Sequence, residues 1–242
     1  MLAGLHDSNA ALLAARGFDE IALREATVLS TGTWFVAMRL PGEVVFTEAL
    51  DGARDCLVNV DAYGRPVPSA RFMGGREIES VIGLDTRRVD IRPDQPALLA
   101  AVPGLVAGGA MLLPSLAPGC GPFPDRAAQW IAEPADWHAR RAAMCLYAAL
   151  VADVSLDLIG SKDRLLVEGR FAEAEVFVRA LAALRPDTQV FTANAHNDVS
   201  FGALRLLNPL LSPQGSLRRV EPLETPLADY RARWRAELGE EP

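Results

Sequence analysis

The chain has 242 residues, half of them hydrophobic, enough for one large domain or two small ones around a buried core. Its net charge of −7 argues against a general nucleic-acid binder, and its only lysine, Lys162 in Ile-Gly-Ser-Lys-Asp, excludes a P-loop. No run approaches the roughly 20 apolar residues of a membrane span, and His6 and Asp7 break up the start before a signal peptide can form. Cys56, Cys120 and Cys145 lack C-x-x-C spacing, and His6, His138 and His196 are scattered, so neither a disulfide frame nor a metal cluster is expected. These features predict a cytoplasmic protein with no nucleic-acid or membrane partner.

In chain order, residues 27–30 (Thr-Val-Leu-Ser) read as a strand and residues 34–40 as a second, joined by a short Gly-Thr turn as a hairpin and stopped by Pro41-Gly42. Residues 56–60 form a third strand, and residues 66–72 an edge strand or extended loop because of their prolines. The domain therefore opens as an antiparallel meander. Gly74-Gly75 ends it, and a helix follows over 76–84 with Ile78, Val81 and Ile82 on one side. A short helix is predicted at 95–102, then mostly loop from Pro103 to Pro134, with a buried piece at 110–113.

The strongest helix starts at the cap Asp136 and stops at Gly160, with Ala143, Tyr147, Leu150, Val154 and Leu158 at helical spacing. Residues 164–167 read as a buried strand turning at Gly169, 172–184 as a helix, and 189–192 as a strand. Asp198 caps a helix reaching about Leu207, and the polar end carries an amphipathic surface helix over 227–238. A meander, a long helix, then strand–helix–strand–helix is an α/β layout. It fits one lobe of the actin-like, ribonuclease-H-like ATPase architecture better than a Rossmann sheet, because the opening strands are joined by hairpins.

Three segments carry chemistry, each with an ordinary structural reading beside it. Residues 4–11 run from an apolar entry through His6-Asp7-Ser8-Asn9 into a helix. Asp7 there can accept a proton from a substrate hydroxyl, or Asp7 or Ser8 can simply cap the helix. In Ser30-Thr31-Gly32-Thr33, backbone amides and hydroxyls can meet an anion, or the segment is only a hairpin turn. Residues 165–171 bring a buried strand to Gly169-Arg170, a nucleotide-binding geometry and also a common β–α connection.

Taken together, and in this order, the segments resemble the FGGY family of carbohydrate kinases. The resemblance extends to about Leu211. The family's Gly-x-x-Asp base segment is matched by Asp7, and the His6-Asp7 pair is most similar to the rhamnulose and fuculose kinase branch. A Ser-x-Gly-Thr phosphate segment is matched at Ser30 to Thr33. Phe-Met-x-Gly is matched at Phe72-Met73-Gly74-Gly75, Leu-Pro-x-Leu at Leu113 to Leu116, and a glycine-containing adenosine motif at Val167 to Phe171.

The resemblance implies ATP and Mg2+ and a sugar or polyol substrate, with a ketose or a related sugar favoured. Asp7 would be the base and His6 a sugar contact. Thr31, Gly32, Thr33, Gly74, Gly75, Gly169 and Arg170 would serve the phosphates and nucleotide, and no metal ligand is assigned.

The chain departs from the pattern at Glu168, where the family has a second glycine, and near Ser80, where a tryptophan is common. The family's N-terminal lobe, with its Asp-x-Gly-Thr loop, is not in the sequence. The expected division is therefore residues 1–22 as a junction carrying the base, 23–212 as the nucleotide-binding lobe and 213–242 as a polar tail. A separate N-terminal lobe or a second copy of the chain is the expected partner. Two other readings stay open: a non-catalytic lobe serving binding or assembly, and a different actin-like ATPase such as a polyphosphate or acyl-phosphate enzyme.

Overall fold

Short runs rich in β-branched and aromatic residues build the sheet, and the computed structural model, which describes residues 5–22, 24–40, 49–193 and 199–239, gives their order. β1 (Ala26–Thr31) and β2 (Phe35–Arg39) form the expected hairpin, with Thr31 opposite Phe35. β3 (Cys56–Val60) and β4 (Pro66–Phe72) form a second one. β5 (Met111–Leu113) and β6 (Gln129–Ile131) make a separate two-stranded ribbon. With β7 (Arg164–Gly169), β8 (Gln189–Ala193) and β9 (Leu217–Arg219), the main sheet has seven strands in the order β3-β4-β2-β1-β7-β8-β9. β1, β7 and β8 are parallel, and the remaining pairings are antiparallel.

The opening is antiparallel as expected, but β4 lies inside it and β3 takes the edge. The prolines are accommodated because the ladder with β2 covers only Ser69 to Phe72, leaving Pro66 and Pro68 outside it on that side.

Strand alternation divides the core between the two faces of the sheet. Val28, Met38, Val67 and Leu166 point to one face, where Leu12 and Ala15 of α1 (Asp7–Ala15) and Ile21 of the short α2 (Asp19–Ala22) cover them. Leu29, Phe35, Ala37, Leu165 and Val167 point to the other. That face is covered by α3 (Gly74–Ile82), α4 (Gln95–Gly108), α5 (Trp137–Leu158) and α6 (Glu175–Leu184). α7 (Val199–Leu207) packs against α1 so closely that a Cβ on Gly202 would meet the Ala10 carbonyl oxygen at 1.8 Å.

Asp136 caps α5 by accepting the Ala139 amide at 2.8 Å, as its sequence predicts. Every residue from Arg141 to Leu156 is buried, because α5 is enclosed by other helices as well as by the sheet.

Several expectations need correction. α4 does not stop before Pro103 but runs through it to Gly108, held by Leu98, Val102 and Leu105 in the core. Packing over those side chains outweighs the lost helical hydrogen bond. β6 lies in the stretch expected to be loop, and residues 170–173 form a 3-10 turn ahead of α6. The polar end supplies β9 and α8 (Ala228–Glu237), whose Tyr230 and Trp234 are buried. Gly4, the Pro41-Gly42 stop and the Asp198 cap lie outside the described residues. Among the described residues no helix is long and apolar enough to cross a membrane.

Candidate active site

Two parallel neighbours, β1 and β7, end side by side, with Thr31 opposite Gly169. From there the chain leaves in opposite directions, β1 into β2 on one side and β7 through the 3-10 turn and α6 into β8 on the other. A crevice outside the carboxyl ends of strands, where the connections diverge, is where ligands enter open α/β sheets.

The β1–β2 loop is closed by the Gly32 amide donating to the Trp34 carbonyl at 3.0 Å. Thr33 is exposed at its tip, and its carbonyl accepts the Arg76 amide of α3 at 3.3 Å. No side chain caps the N-terminus of α3.

Gly74 and Gly75 are buried. A Cβ at Gly74 would lie 2.7 Å from the Phe35 and Phe72 rings, and one at Gly75 would lie 1.9 Å from the Gly32 carbonyl oxygen. These glycines seat the helix closely against the loop and the aromatic rings.

Thr31 is turned inward as well. Its hydroxyl donates to the Glu168 carbonyl and accepts the Phe171 amide at 3.1 Å. The hydroxyl that the resemblance assigned to phosphate is thus engaged by the neighbouring strand and turn.

Gly169 is exposed at φ +86°, and a Cβ there would meet the Thr31 carbonyl oxygen at 2.2 Å. Arg170 reaches across to α3, where its Nη1 lies 3.3 Å from Glu79 Oε1. The same oxygen accepts from the Thr86 amide at 3.0 Å and hydroxyl at 2.6 Å. Thr31, Gly32, Thr33, Gly74, Gly75, Gly169 and Arg170 therefore form one cluster. Phe171, which packs on Phe35 at 5.1 Å between ring centroids, and Glu79 belong to it and were not singled out from sequence. The aromatic residue directly after Gly169-Arg170 was the one signal for Phe171.

His6 and Asp7 stand apart, at the start of α1 on the opposite face of the sheet. His6 is the N-cap, and Asp7 Oδ1 lies 2.8 Å from both His6 Nδ1 and the Ser8 amide. The Asp7 side chain is 72% exposed. The first turn of a helix favours its negative charge. His6 borders an open cleft of about 420 Å³ whose walls include Val36, Met38, Asn59 and Arg71.

Glu168 follows strand alternation to this same face. It accepts a hydrogen bond from Ser30, and burial pushes its carboxyl up to about 7. The side chain thus lies across the sheet from the glycine cluster. Among the described residues, no group of three or more His, Cys, Asp or Glu side chains is placed to hold a metal ion.

The sheet and these loops define a lobe of the actin-like ATPase fold. The family model described as "Carbohydrate kinase FGGY, C-terminal domain" matches residues 23–215, and the chain belongs to that family. It is 72% identical to a carbohydrate kinase from Novosphingobium aromaticivorans, with a TM-score of 0.93 over 98% of this chain and 52% of that one. The fold is also shared with a xylulose kinase from Bifidobacterium adolescentis (18% identity, TM-score 0.67, 96% of this chain and 46% of that one). A Plasmodium falciparum glycerol kinase solved with ADP gives 12% identity and a TM-score of 0.64, over 96% of this chain and 49% of that one. The chain thus spans about half the length of the kinases it matches. Comparison with curated proteins found no match.

Proposed function

We propose that this chain is the nucleotide-holding half of an ATP-dependent sugar kinase, acting on a ketose or related sugar and completed by an N-terminal lobe. The observation that carries the reading is the divergence of the chain at the carboxyl ends of β1 and β7, beside the start of α3. The exposed Thr33 and the Arg170 guanidinium nearby supply the kind of donors a polyphosphate takes.

In the reaction the sugar hydroxyl oxygen bonds to the γ-phosphorus, the bond from that phosphorus to the β,γ-bridging oxygen breaks, and ADP leaves with the electron pair. Asp7 takes the hydroxyl proton, and His6 contacts the sugar. Residues 1–22 carry Asp7 to the junction with the other lobe. Among the described residues no group of three or more His, Cys, Asp or Glu side chains could hold Mg2+, which would arrive on the nucleotide. Three free cysteines and ATP as donor fit a cytoplasmic setting.

The test has two parts. The chain alone should bind MgATP with a dissociation constant on the order of a millimolar, about 4 kcal/mol, and show no sugar-dependent ATP consumption. Joined to a matching N-terminal lobe it should phosphorylate a ketose, and Asp7→Asn should lower turnover roughly 100-fold or more with nucleotide affinity nearly unchanged. Full turnover in Asp7→Asn would remove Asp7 as the base. A second reading is a non-catalytic binding or assembly lobe. It gains if no completed enzyme turns over any sugar.

A further inference from the structure

We infer that Thr31 is a positioning residue: its hydroxyl pins the β7 turn to the β1–β2 loop and so holds the two walls of the nucleotide crevice in register. The inference rests on the nucleotide reading above, and it replaces direct phosphate contact as the role of this side chain. Three observations support it.

The first is saturation. The Thr31 hydroxyl has one proton to give, and it goes to the Glu168 carbonyl, while the Phe171 amide donates back to the oxygen at 3.1 Å. One buried oxygen therefore joins β1 to both sides of Gly169, the residue before it and the turn after it.

The second is the need for such a joint. The parallel ladder between β1 and β7 ends at Thr31 opposite Gly169, and the chain then turns away at φ +86°. Past that point the strand register no longer holds residues 170–173. The Phe171 amide, buried beyond the end of the ladder, has the Thr31 hydroxyl as its acceptor.

The third is what the joint positions. Phe171 packs against Phe35, and Arg170, one residue earlier, reaches Glu79 on α3. On the other wall, Gly32 touches Gly75 so closely that no Cβ fits, and Thr33 accepts the Arg76 amide. Through Thr31, displacement of the 170–173 turn is felt by the loop that carries the exposed Thr33 hydroxyl.

The test compares Thr31→Val, which keeps the shape and loses both hydrogen bonds, with Thr31→Ser, which keeps the hydroxyl. Two readouts are taken on the full chain: a MgATP titration followed by amide chemical shifts, and hydrogen exchange at the Phe171 amide. Thr31→Val should weaken MgATP by roughly ten-fold and speed Phe171 exchange by at least as much, the usual consequence of leaving a buried amide without its acceptor. Thr31→Ser should restore both to within about three-fold of the parent chain.

Thr31→Val binding MgATP as tightly as the parent, or unchanged Phe171 exchange, would overturn the pin while leaving the nucleotide reading intact. A parent chain that shows no MgATP binding would overturn the nucleotide reading instead, and the exchange rate would still decide whether Thr31 holds the turn. Should Thr31→Val fail to fold, failure of Thr31→Ser to preserve affinity and Phe171 protection would count against the inference.

Discussion

At Gly75 a Cβ would stand 1.9 Å from the carbonyl oxygen of Gly32, a backbone atom that no rotamer change can clear. Gly75→Ala should therefore push α3 off the β1–β2 loop and lower stability by about 1–3 kcal/mol, as overpacking of a closed site does. Urea unfolding checks this, with Gly104→Ala as the unstrained control: it lies inside α4 with nothing within 4 Å and should gain about 0.5–1 kcal/mol. Glu168 shows the same scale acting through charge. Burial raises its carboxyl from 4.5 to about 7, so the folded state holds a proton there that the unfolded chain has released. Stability from this group is present in full below about 4.5 and is lost as pH rises through about 7. Glu168→Gln should flatten that fall, gaining roughly 2–3 kcal/mol over the parent at pH 8 and little at pH 4. Thermal melts at the two pH values would show it. An unchanged difference would mean that the carboxyl is not desolvated in solution.

Between elements, the joints are polar and specific. The Asp153 carboxylate, 1% exposed on α5, receives Arg185 Nη1 at 2.8 Å from beyond α6 and Arg235 Nη2 at 3.1 Å from α8. Asp157, one turn later, holds the same two arginines at 2.8 Å each. Asp153→Ala should cost about 3 kcal/mol, because it leaves arginine charge without its buried partner. Denaturant unfolding measures that cost, and a loss below about 0.5 kcal/mol would mean the Asp157 pairs suffice. The strands were legible at this scale: β1 to β4 fall within about a residue or two of their predicted limits, because hydrophobic runs broken by Gly and Pro mark them locally. Their order was not legible. β4 sits between β2 and β3, and which hairpin edge meets which is decided by contacts distant in sequence. β6 and β9, three residues each, are too short to carry a period and exist because a partner strand is there.

For the whole molecule, the two faces of the sheet separate the candidate groups. The glycine cluster lies with α3 on one face, and His6 and Asp7 lie with α1 on the other, beside the open cleft. The proposed reaction needs the γ-phosphate and the base to meet, although their candidate groups start from opposite faces of the sheet. The polar end of the chain also takes its meaning only at this scale. Trp234 is fully buried, stacks edge-on to Phe123 and donates to the Leu112 carbonyl at 2.8 Å, while Tyr230 donates to the Ala110 carbonyl at 2.8 Å. A charged helix with two aromatics reads locally as a surface element. The carbonyls that its two aromatics meet lie more than a hundred residues away, so no local pattern reveals them. By itself the sequence determined the α/β class, the strands and helices with strong periodicity, and the family, because collinear motifs and hydrophobic period are local properties of the chain. Only the tertiary structure decided that Gly74 and Gly75 are packing contacts, that Thr31 faces inward and that Glu168 lies on the face opposite the glycines. Each of those depends on which backbone stands opposite in space.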